Sequence, residues 1–362
     1  MLFFVLGLPG QFATWCEGIL ARLAGHDGDA VAAMVWPSLD EILKYEPVPS
    51  PLAELGDMLI KTEARHLVIG ARWPGEALHR ALLAGNLPFL LAIDDPRNAV
   101  ADTVTDAAVE PRSAVRAVVN SCVYLSQYDG LPSALVLDPD QARHQPAEAV
   151  AAISAHFGLA LTPETAQSIA KDAAPNWASA SPKRGEELIA GAGADVGKMI
   201  DGALMAHCER FRGGPLGQFV WTRDLFIPGS LSNLHAPIDV ASSGRVLVYG
   251  PYIQLPVGSW AAEIVIGFSA QACGASFLVD VFSGNQLAFT VLRPMRAGVY
   301  TANLTFSIGA LSDNGIEVRI MVESEKAAGH IAFGHVVLRP LVTHLSEPAA
   351  PAEGDFTSVL AL

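Results

Sequence analysis

Few residues of this 362-residue chain stand at spacings that suit catalysis or metal binding. No two of the four cysteines form a C-x-x-C pair, which excludes a zinc ribbon and a thioredoxin-type motif. Asp138, Asp140 and His144 lie close together in the sequence, and either a solvated polar loop, which we favour, or a metal site would explain them. His330 and His335 are five positions apart on a predicted strand. They should point to opposite faces and cannot share a metal ion, so we expect no metal.

Two further enzyme patterns lack the required context. No G-x-S-x-G segment lies between a predicted strand and a predicted helix, so there is no nucleophile elbow. The segment GAGA at 191–194 follows no predicted strand and does not predict a nucleotide-binding loop. The remaining candidate is GLPG at 7–10, which follows the apolar run LFFVL at 2–6 and precedes a helix predicted at 14–24. A strand, a tight loop and a helix in this order begin an α/β unit.

The rest of the first half alternates short apolar strands with helices. Further strands are predicted at 31–35, 66–70, 89–93 and 134–137. Further helices are predicted at 51–62, 76–84, 98–106, 111–128 and 146–157. Strands this apolar, interleaved with helices, predict a parallel sheet that is covered on both faces.

Three stretches of this half resemble the sulfotransferase family, which has a P-loop-like α/β fold and uses the sulfate donor PAPS. GLPGQFATW at 7–15 stands in the place of the family's G-x-P-R-S-G-T-T-W loop, and IDDPRNAVAD at 93–102 in the place of R-D-P-R-D-x-x-x-S. The third stretch, LVLDP at 135–139 followed by HFGL at 156–159, resembles a later segment of the family. The resemblance covers about residues 1–165 and implies a sulfotransferase-type fold.

The loop residues that hold the donor's 5′-phosphosulfate in the family are mostly replaced. The resemblance places the cofactor positions at Gly10, Gln11, Phe12, Ala13 and Thr14, and only Thr14 keeps the family's residue type. Phe12 stands where the backbone must approach an anion closely, which is also a steric objection. We therefore expect these five positions to be vestigial.

The second stretch departs in charge. The family's phosphate-binding Arg and Ser correspond to Asp94 and Asp102, which replace attraction to the 3′-phosphate by repulsion. Each reversal costs on the order of several kcal/mol of binding. Arg97 is kept, but it matches the family's second Arg, which is not the main phosphate ligand.

We interpret the first half as a sulfotransferase-like domain that has lost its donor site and needs no cofactor. The alternative is an active enzyme with bound PAPS or PAP, in which other cations such as Arg72, Arg112 or Arg116 replace the missing ones. Glu17, beside the loop on the first helix, would then be the candidate general base. A helical surface glutamate is the simpler interpretation of Glu17.

Beyond residue 160 the pattern changes twice. Residues 160–185 are rich in Ala, Pro and Ser and predict an exposed connector, and 186–211 predict one glycine-rich helix that packs closely on another element. From about 215, short alternating runs predict strands at 245–249, 261–268, 276–282, 287–292, 299–307, 317–323 and 331–338. This spacing predicts an antiparallel, jelly-roll-like β-sandwich.

The stretch VYGPYIQLPVGSW at 248–260 resembles carbohydrate-binding-module-like sandwiches appended to bacterial polysaccharide-biosynthesis enzymes. The resemblance implies that exposed aromatic rings stack on sugar rings. Tyr249, Tyr252 and Trp260 are the candidate carbohydrate-binding residues, with Tyr300 as a further aromatic. The other interpretation is that these rings pack in the core or against turns.

Composition limits the partners of the chain. The sequence has 37 acidic and 23 basic residues, a formal net charge of −14, so nucleic acid and an anionic membrane surface are unfavourable partners. Hydrophobic residues make up 51% of the chain, which is apolar for a monomer and favours a homo-oligomer. No apolar run reaches the roughly 18 residues of a transmembrane helix. The first ten residues predict a buried strand rather than a signal peptide, and four scattered cysteines are typical of the cytoplasm.

These features predict a sulfotransferase-like domain at 1–165, a connector with a helix at 166–214, a β-sandwich at 215–342 and a flexible tail at 343–362. The predicted function is that of a non-catalytic binding or scaffold component in bacterial polysaccharide production, whose partner is a glycan or a biosynthetic protein. The alternatives are an active carbohydrate sulfotransferase that uses PAPS and a self-assembling structural subunit.

Overall fold

The computed structural model describes most of the chain. The described residues are 1–26, 28–35, 64–72, 82, 87–106, 108–172, 177, 180–229, 234–241, 245–311, 314–324 and 327–341. The helix predicted at 51–62 and the tail predicted at 343–362 lie outside the described residues, as does the helix predicted at 76–84 except for Leu82.

Five parallel strands form the sheet of the first half, in the order β2-β3-β1-β4-β5. The strands are β1 (Leu2–Gly7), β2 (Val31–Val35), β3 (His66–Ala71), β4 (Phe89–Ala92) and β5 (Ala134–Leu137). The prediction of all five is confirmed to within one residue at each end. The residues of β3 and β4 are buried throughout, because helices cover both faces of the sheet.

Within the described residues of the first half, six helices accompany this sheet, and five of them begin with proline, whose fixed φ suits the first turn of a helix. They are α1 (Gln11–Ala24), α2 (Pro96–Asp106), α3 (Pro111–Leu125), α4 (Pro139–His144), α5 (Pro146–His156) and α6 (Pro163–Asp172). Buried side chains of α1, α5 and α6 form a cluster on one face of the sheet. Those of α2 and α3 belong to a second cluster on the other face.

The predicted single helix at 186–211 is wrong, because the structure has two helices there. They are α7 (Arg184–Ala192) and α8 (Ala194–Phe211), and Gly193 between them has a φ of 90°, which glycine adopts without steric cost. The prediction of close packing is confirmed at Gly202, where a Cβ would overlap with the carbonyl oxygen of Val220.

The second half contains two antiparallel sheets that pack face to face. One has the order β13-β12-β15-β9-β7 with β10 beside β15, and the other the order β14-β11-β16-β6 with β8 beside β16. The strands are β6 (Phe219–Thr222), β7 (Ile227–Pro228), β8 (Ile238–Asp239), β9 (Val246–Tyr249), β10 (Pro251–Ile253), β11 (Gly258–Phe268), β12 (Phe277–Ser283), β13 (Asn285–Leu292), β14 (Gly298–Ile308), β15 (Ile316–Val322) and β16 (His330–Pro340). All seven predicted strands are confirmed, with ends that differ by three residues at most.

Helix α8 connects the two halves. Its buried side chains, among them Met199, Ile200 and Leu204, belong to the same hydrophobic cluster as Val118 of α3 and Phe219 of β6. No helix in the described part of the chain is both long and apolar enough to span a bilayer.

Candidate functional site

The carboxyl ends of β1 and β4 form the topological switch point of the parallel sheet. These two strands are neighbours, while α1 after β1 and α2 after β4 lie on opposite faces of the sheet. Open α/β sheets bind ligands in the crevice outside such a pair of strand ends. The loop at 7–10 and the segment at 93–95 border this crevice, so it contains the predicted donor positions.

A carboxylate of the chain itself occupies the N-terminus of α1. The backbone N–H of Gln11 donates to Oδ2 of Asp102 at 2.9 Å. Gly10 has a φ of 149°, and a Cβ there would lie only 2.7 Å from the same oxygen. The N-terminus of a helix attracts an anion because its first N–H groups are unpaired and carry partial positive charge. Asp102, which is 3% exposed, therefore holds the position that the loop would offer to a phosphate.

Arg184, the first residue of α7, compensates the two reversed charges of the crevice. Its Nη2 donates to Oδ2 of Asp94 at 2.7 Å and to Oδ2 of Asp102 at 2.8 Å, and its Nε donates to Oδ1 of Asp102 at 2.5 Å. Burial lowers the pKa of Arg184, but the two carboxylates outweigh it and hold that pKa above its usual range. The crevice thus contains one cation held between two anions, all from this chain.

Sequence reasoning did not identify Arg184. Two buried aspartates in place of an arginine and a serine are a signal that a cation must lie nearby. Arg184 is 82 positions away from Asp102 and belongs to a segment that was expected to be an exposed connector. Only the fold brings it into the crevice.

The other loop residues turn away from the crevice or bond within the chain. The ring of Phe12 packs on Trp177, with centroids 4.7 Å apart, in the core between α1 and α6. The expected steric obstruction by Phe12 is therefore wrong, since its side chain does not reach the anion position. Ala13 is buried against Gly7, and the hydroxyl of Thr14 donates to the carbonyl of Gly10 at 3.0 Å.

Arg97 lies next to the crevice but bonds a different carboxylate. Its Nε and Nη2 donate to the two oxygens of Asp95 at 3.1 and 3.0 Å, and Arg212 donates to Asp95 at 2.8 Å. Burial raises the pKa of Asp95, but the hydrogen bonds and charge of Arg97 and the charge of Arg212 outweigh it and hold that pKa below its usual range. Arg97 and Asp95 line a cavity of about 880 Å³ at the ends of β4 and β5.

The same cavity contains Asp138, Asp140 and His144. Asp138 caps α4, because its Oδ1 accepts the backbone N–H groups of Asp140 at 2.8 Å and Gln141 at 3.3 Å. Within the described ranges no group of three or more His, Cys, Asp or Glu side chains could hold a metal ion. A helix cap explains Asp138 without a metal.

Of the three substitute cations considered, only Arg72 lies beside the loop. Its Nη2 is 3.5 Å from the hydroxyl of Thr14, and its Nη1 forms a buried ion pair with Glu17. The expectation of a surface position for Glu17 is wrong, since Glu17 is 9% exposed. Arg112 pairs with Glu110, and Arg116 points to the sandwich, where it lies over the ring of Tyr252.

The aromatic candidates of the sandwich differ in exposure. Trp260 is 1% exposed, its ring packs near Phe219 and its Nε1 donates to the carbonyl of Pro256 at 3.0 Å, so it offers no face to a sugar. Tyr249 and Tyr252 are half-buried and meet edge to face, with centroids 6.3 Å apart. Burial, with the nearby charge of Glu317, raises the pKa of Tyr252 to about 12.

No protein-family model and no curated protein matches this chain. Among solved structures, a mouse sulfotransferase in complex with PAP is similar over 48% of this chain and 63% of its own, with 8% identity and a TM-score of 0.34. A retinol dehydratase in complex with retinol and PAP is similar over 47% and 63%, with 12% identity and a TM-score of 0.32. The chain thus spans less than two thirds of the length of either protein.

The C-terminal domain of EclA, a sugar-binding protein, is similar over 30% of this chain and 74% of its own, with 12% identity and a TM-score of 0.22. These matches concern the fold alone. The chain has a parallel α/β half, similar over part of its length to sulfotransferase structures, followed by a half built from antiparallel sheets.

Proposed function

We propose that this protein is a non-catalytic binding or scaffold component whose sulfotransferase-like half does not bind PAPS. One observation carries the proposal: the carboxylate of Asp102 accepts the N–H of Gln11 at the N-terminus of α1. A donor phosphate would need this position, because the loop and the helix N-terminus are what hold the anion in such folds. The side chain of Asp102 would have to leave first.

Removal of Asp102 from this position is costly. Its carboxylate accepts one backbone bond from Gln11 and two charge-assisted bonds from Arg184. Hydrogen bonds to charged groups contribute roughly 1.5–3 kcal/mol each. While Asp102 stays in place, the two carboxylates and the single guanidinium of Arg184 carry a net negative charge, which would repel the 3′-phosphate.

Calorimetric titration with PAP, at low and moderate salt, tests this proposal. We expect no binding by the wild type up to millimolar PAP. The variant Asp102→Ser vacates the helix N-terminus and restores the family's residue type, and we expect it to bind PAP measurably. Asp106→Ser, on the same helix, is the matched control, because it makes the same charge change at an exposed position. Micromolar binding by the wild type would contradict the proposal and favour the active sulfotransferase.

The proposed partner of the sandwich half is a glycan, as in bacterial polysaccharide production. The pair Tyr249 and Tyr252 supports this, because both residues are partly exposed and Tyr252 lies beside the polar group of Glu317. Native electrophoresis in gels that contain soluble neutral polysaccharides tests it. We expect retardation of the wild type, less retardation of Tyr249→Ala, and no change for Tyr300→Ala. If no gel retards the wild type, the glycan partner is wrong while the absence of a donor site stands.

The proposed location is the cytoplasm. All four cysteines are free thiols, and three of them are buried. Free cysteines are typical of reducing compartments, where disulfides do not persist.

A further inference from the structure

The short strand β10 contains a β-bulge at Tyr252. Pro251 pairs with Glu317 of β15, and Ile253 pairs with the adjacent residue Ile316, so Tyr252 is an extra residue between two successive pairs. A bulge bends its strand and redirects a side chain, and bulges are over-represented next to functional sites. The position of Tyr252 is therefore a specific feature of the sandwich.

The backbone of Tyr252 has a left-handed conformation that a bulky side chain rarely adopts. Its φ is 63°, where glycine would fit without strain. The neighbouring strand makes room for this backbone, because a Cβ at Gly315 would lie only 2.5 Å from the carbonyl carbon of Tyr252. Strain of this kind concentrates at ligand-binding sites, where the geometry of a particular side chain matters.

A buried cation from the first half of the chain faces the Tyr252 ring. Helix α3 packs against β10, and the guanidinium of Arg116 on α3 lies 5.9 Å from the centroid of the ring. Arg116 is 8% exposed. Its Nη2 donates one long hydrogen bond, of 3.4 Å, to the carbonyl of Leu225, and its Nε has no partner. Among the described residues, no carboxylate forms an ion pair with Arg116.

A contribution to stability does not explain Arg116. A buried guanidinium without a carboxylate destabilises the folded chain unless other contacts offset the loss of its hydration. The ring of Tyr252 offsets part of it, because the electron-rich face of an aromatic ring attracts a cation. The same attraction holds the Tyr252 ring in place from the side of α3.

Tyr249 and Glu317 complete the cluster on the sandwich side. The ring of Tyr249 meets that of Tyr252 edge to face, and the hydroxyl of Tyr252 donates to the carboxylate of Glu317. Arg319, whose charge also acts on Glu317, is held in an ion pair by Asp280. A carboxylate beside two partly exposed rings suits a neutral sugar, whose hydroxyls can donate to it, and it would repel an acidic sugar.

We infer that helix α3 of the sulfotransferase-like half contributes to the glycan site, in which Arg116 is a positioning residue that holds the Tyr252 ring for a neutral sugar. The inference rests on the proposed glycan partner. It gives the first half a function that needs no PAPS, because the binding site then belongs to both halves of the chain.

Affinity electrophoresis of the full chain, in native gels that contain hydroxyethyl cellulose or glucomannan, tests this inference. Arg116→Met keeps the length of the side chain without its charge, and we expect its Kd to be about tenfold higher than that of the wild type. Arg116→Lys keeps a cation over the ring and should stay within about threefold of the wild type. Arg112→Met is the matched control, because Arg112 lies one turn earlier on α3 and pairs with Glu110. We expect no change for this control.

Urea denaturation separates positioning from a structural role. Because Arg116 is buried without a carboxylate, Arg116→Met should unfold at the same urea concentration as the wild type or at a higher one. A structural role predicts a lower midpoint instead. A variant whose midpoint falls below that of the wild type would overturn the inference, whatever its affinity.

The strained backbone provides a second variant. Asparagine tolerates the left-handed conformation better than tyrosine does, so Tyr252→Asn should keep the fold and lose measurable retardation. Tyr300→Asn, which changes a tyrosine on β14, is the control and should be retarded like the wild type. Retardation of Tyr252→Asn equal to that of the wild type would contradict a role of this ring in sugar binding.

The outcomes distinguish this inference from the glycan proposal. If the gels retard the wild type and Arg116→Met equally, the sandwich binds glycan without help from α3, so the inference is wrong while the proposed partner stands. If neither polysaccharide retards the wild type, the inference fails together with the glycan partner.

Discussion

The crevice at β1 and β4 and the edge strand β13 differ in whether their exposed or charged groups find partners within the chain. In the crevice, Asp94, Asp102 and Arg184 are almost fully removed from water and satisfy one another. At β13, apolar side chains such as Phe289 stay in water and the backbone edge has no partner within the described residues. The crevice in which a parallel α/β sheet ordinarily binds a ligand is filled by side chains of the chain itself. The exposed apolar surface at β13 lies in the other half.

Free energy explains why the two regions respond differently to mutation. A buried charge without a partner costs several kcal/mol, so loss of Arg184, which would leave two buried carboxylates without their shared cation, should be costly. An exposed apolar side chain has few contacts within the chain to lose, so its replacement costs the folded state little. Mutations in the crevice should therefore change stability, and mutations at β13 should leave it nearly unchanged.

The largest effect is expected for Arg184→Met. This change leaves the carboxylates of Asp94 and Asp102 buried without a cation and should lower the free energy of unfolding by about 3–5 kcal/mol. Urea denaturation at pH 7 measures it. Arg212→Met is the control, because the side chain of Arg212 is 61% exposed and its ion pair with Asp95 should contribute less than about 1 kcal/mol.

A charge rescue distinguishes loss of the cation from loss of packing. The triple variant Arg184→Met, Asp94→Asn, Asp102→Asn removes the uncompensated charges and should recover at least half of the lost free energy. If the triple variant is no more stable than the single one, the ion triad is not what closes the crevice.

The second effect concerns the buried pair of Glu17 and Arg72, which lies beneath α1. A Cβ at Gly70 would overlap with Oε1 of Glu17, so Gly70→Ala should displace that carboxylate. The expected loss is about 2–4 kcal/mol, between the cost of overpacking and that of a broken buried pair. Gly18→Ala is the control, because a Cβ at this position meets no atom within 4 Å. Replacing this helical glycine by alanine should stabilise α1 by about 0.5–1 kcal/mol. Thermal unfolding of both variants measures the difference.

The third effect depends on pH and involves His207 of α8. Burial lowers the pKa of His207 to about 3. Between the ordinary histidine pKa of about 6.5 and that value, only the unfolded chain binds the proton, so this residue lowers stability as the pH falls. The stability of His207→Phe relative to the wild type should therefore increase by roughly 2–3 kcal/mol from pH 7 to pH 4.5.

Denaturation curves at several pH values, with the exposed His330→Phe as the control, measure this difference. The ring of His207 packs on Phe219 with centroids 4.8 Å apart, so phenylalanine keeps the contact. A relative stability that does not change with pH would contradict the neutral, buried histidine.

The smallest effect on stability is expected at the edge strand. Phe289→Thr at concentrations where the chain is monomeric should change the free energy of unfolding by no more than about 0.5 kcal/mol, as exposed positions usually do. Urea denaturation at low concentration measures it. A loss above about 2 kcal/mol would mean that Phe289 is packed within its own chain, and the contrast with the crevice would fail.

Most elements of the fold could be predicted from the sequence because their signals are local. Val318, Ile320 and Val322 alternate with Glu317, Arg319 and Met321 in β15, while the continuous apolar run at β1 predicts a strand that is buried on both faces. The division of the predicted 186–211 helix was missed because a glycine within a helical pattern fits either a helix interior or a break. The φ of Gly193 is decided by how α7 and α8 pack.

The sequence predicted the negative charges of the candidate site but not the residues that pair with them. Asp94 and Asp102 are visible as reversed charges in the sequence, and the structure places both at the expected crevice. The bond to Arg184 depends on how the chain returns after α6, and the direction of the Phe12 ring depends on contact with Trp177. These are long-range contacts, for which no periodicity of the sequence gives a signal.

Helix α8 has a consequence for how this protein melts. Its buried side chains share one hydrophobic cluster with α3 on one side and β6 on the other. Neither half can lose this helix without exposing the surface that it covers, so the halves should unfold together in one calorimetric transition. The chain is then a single cooperative unit, and recombination that separates its halves would have to supply a substitute for α8.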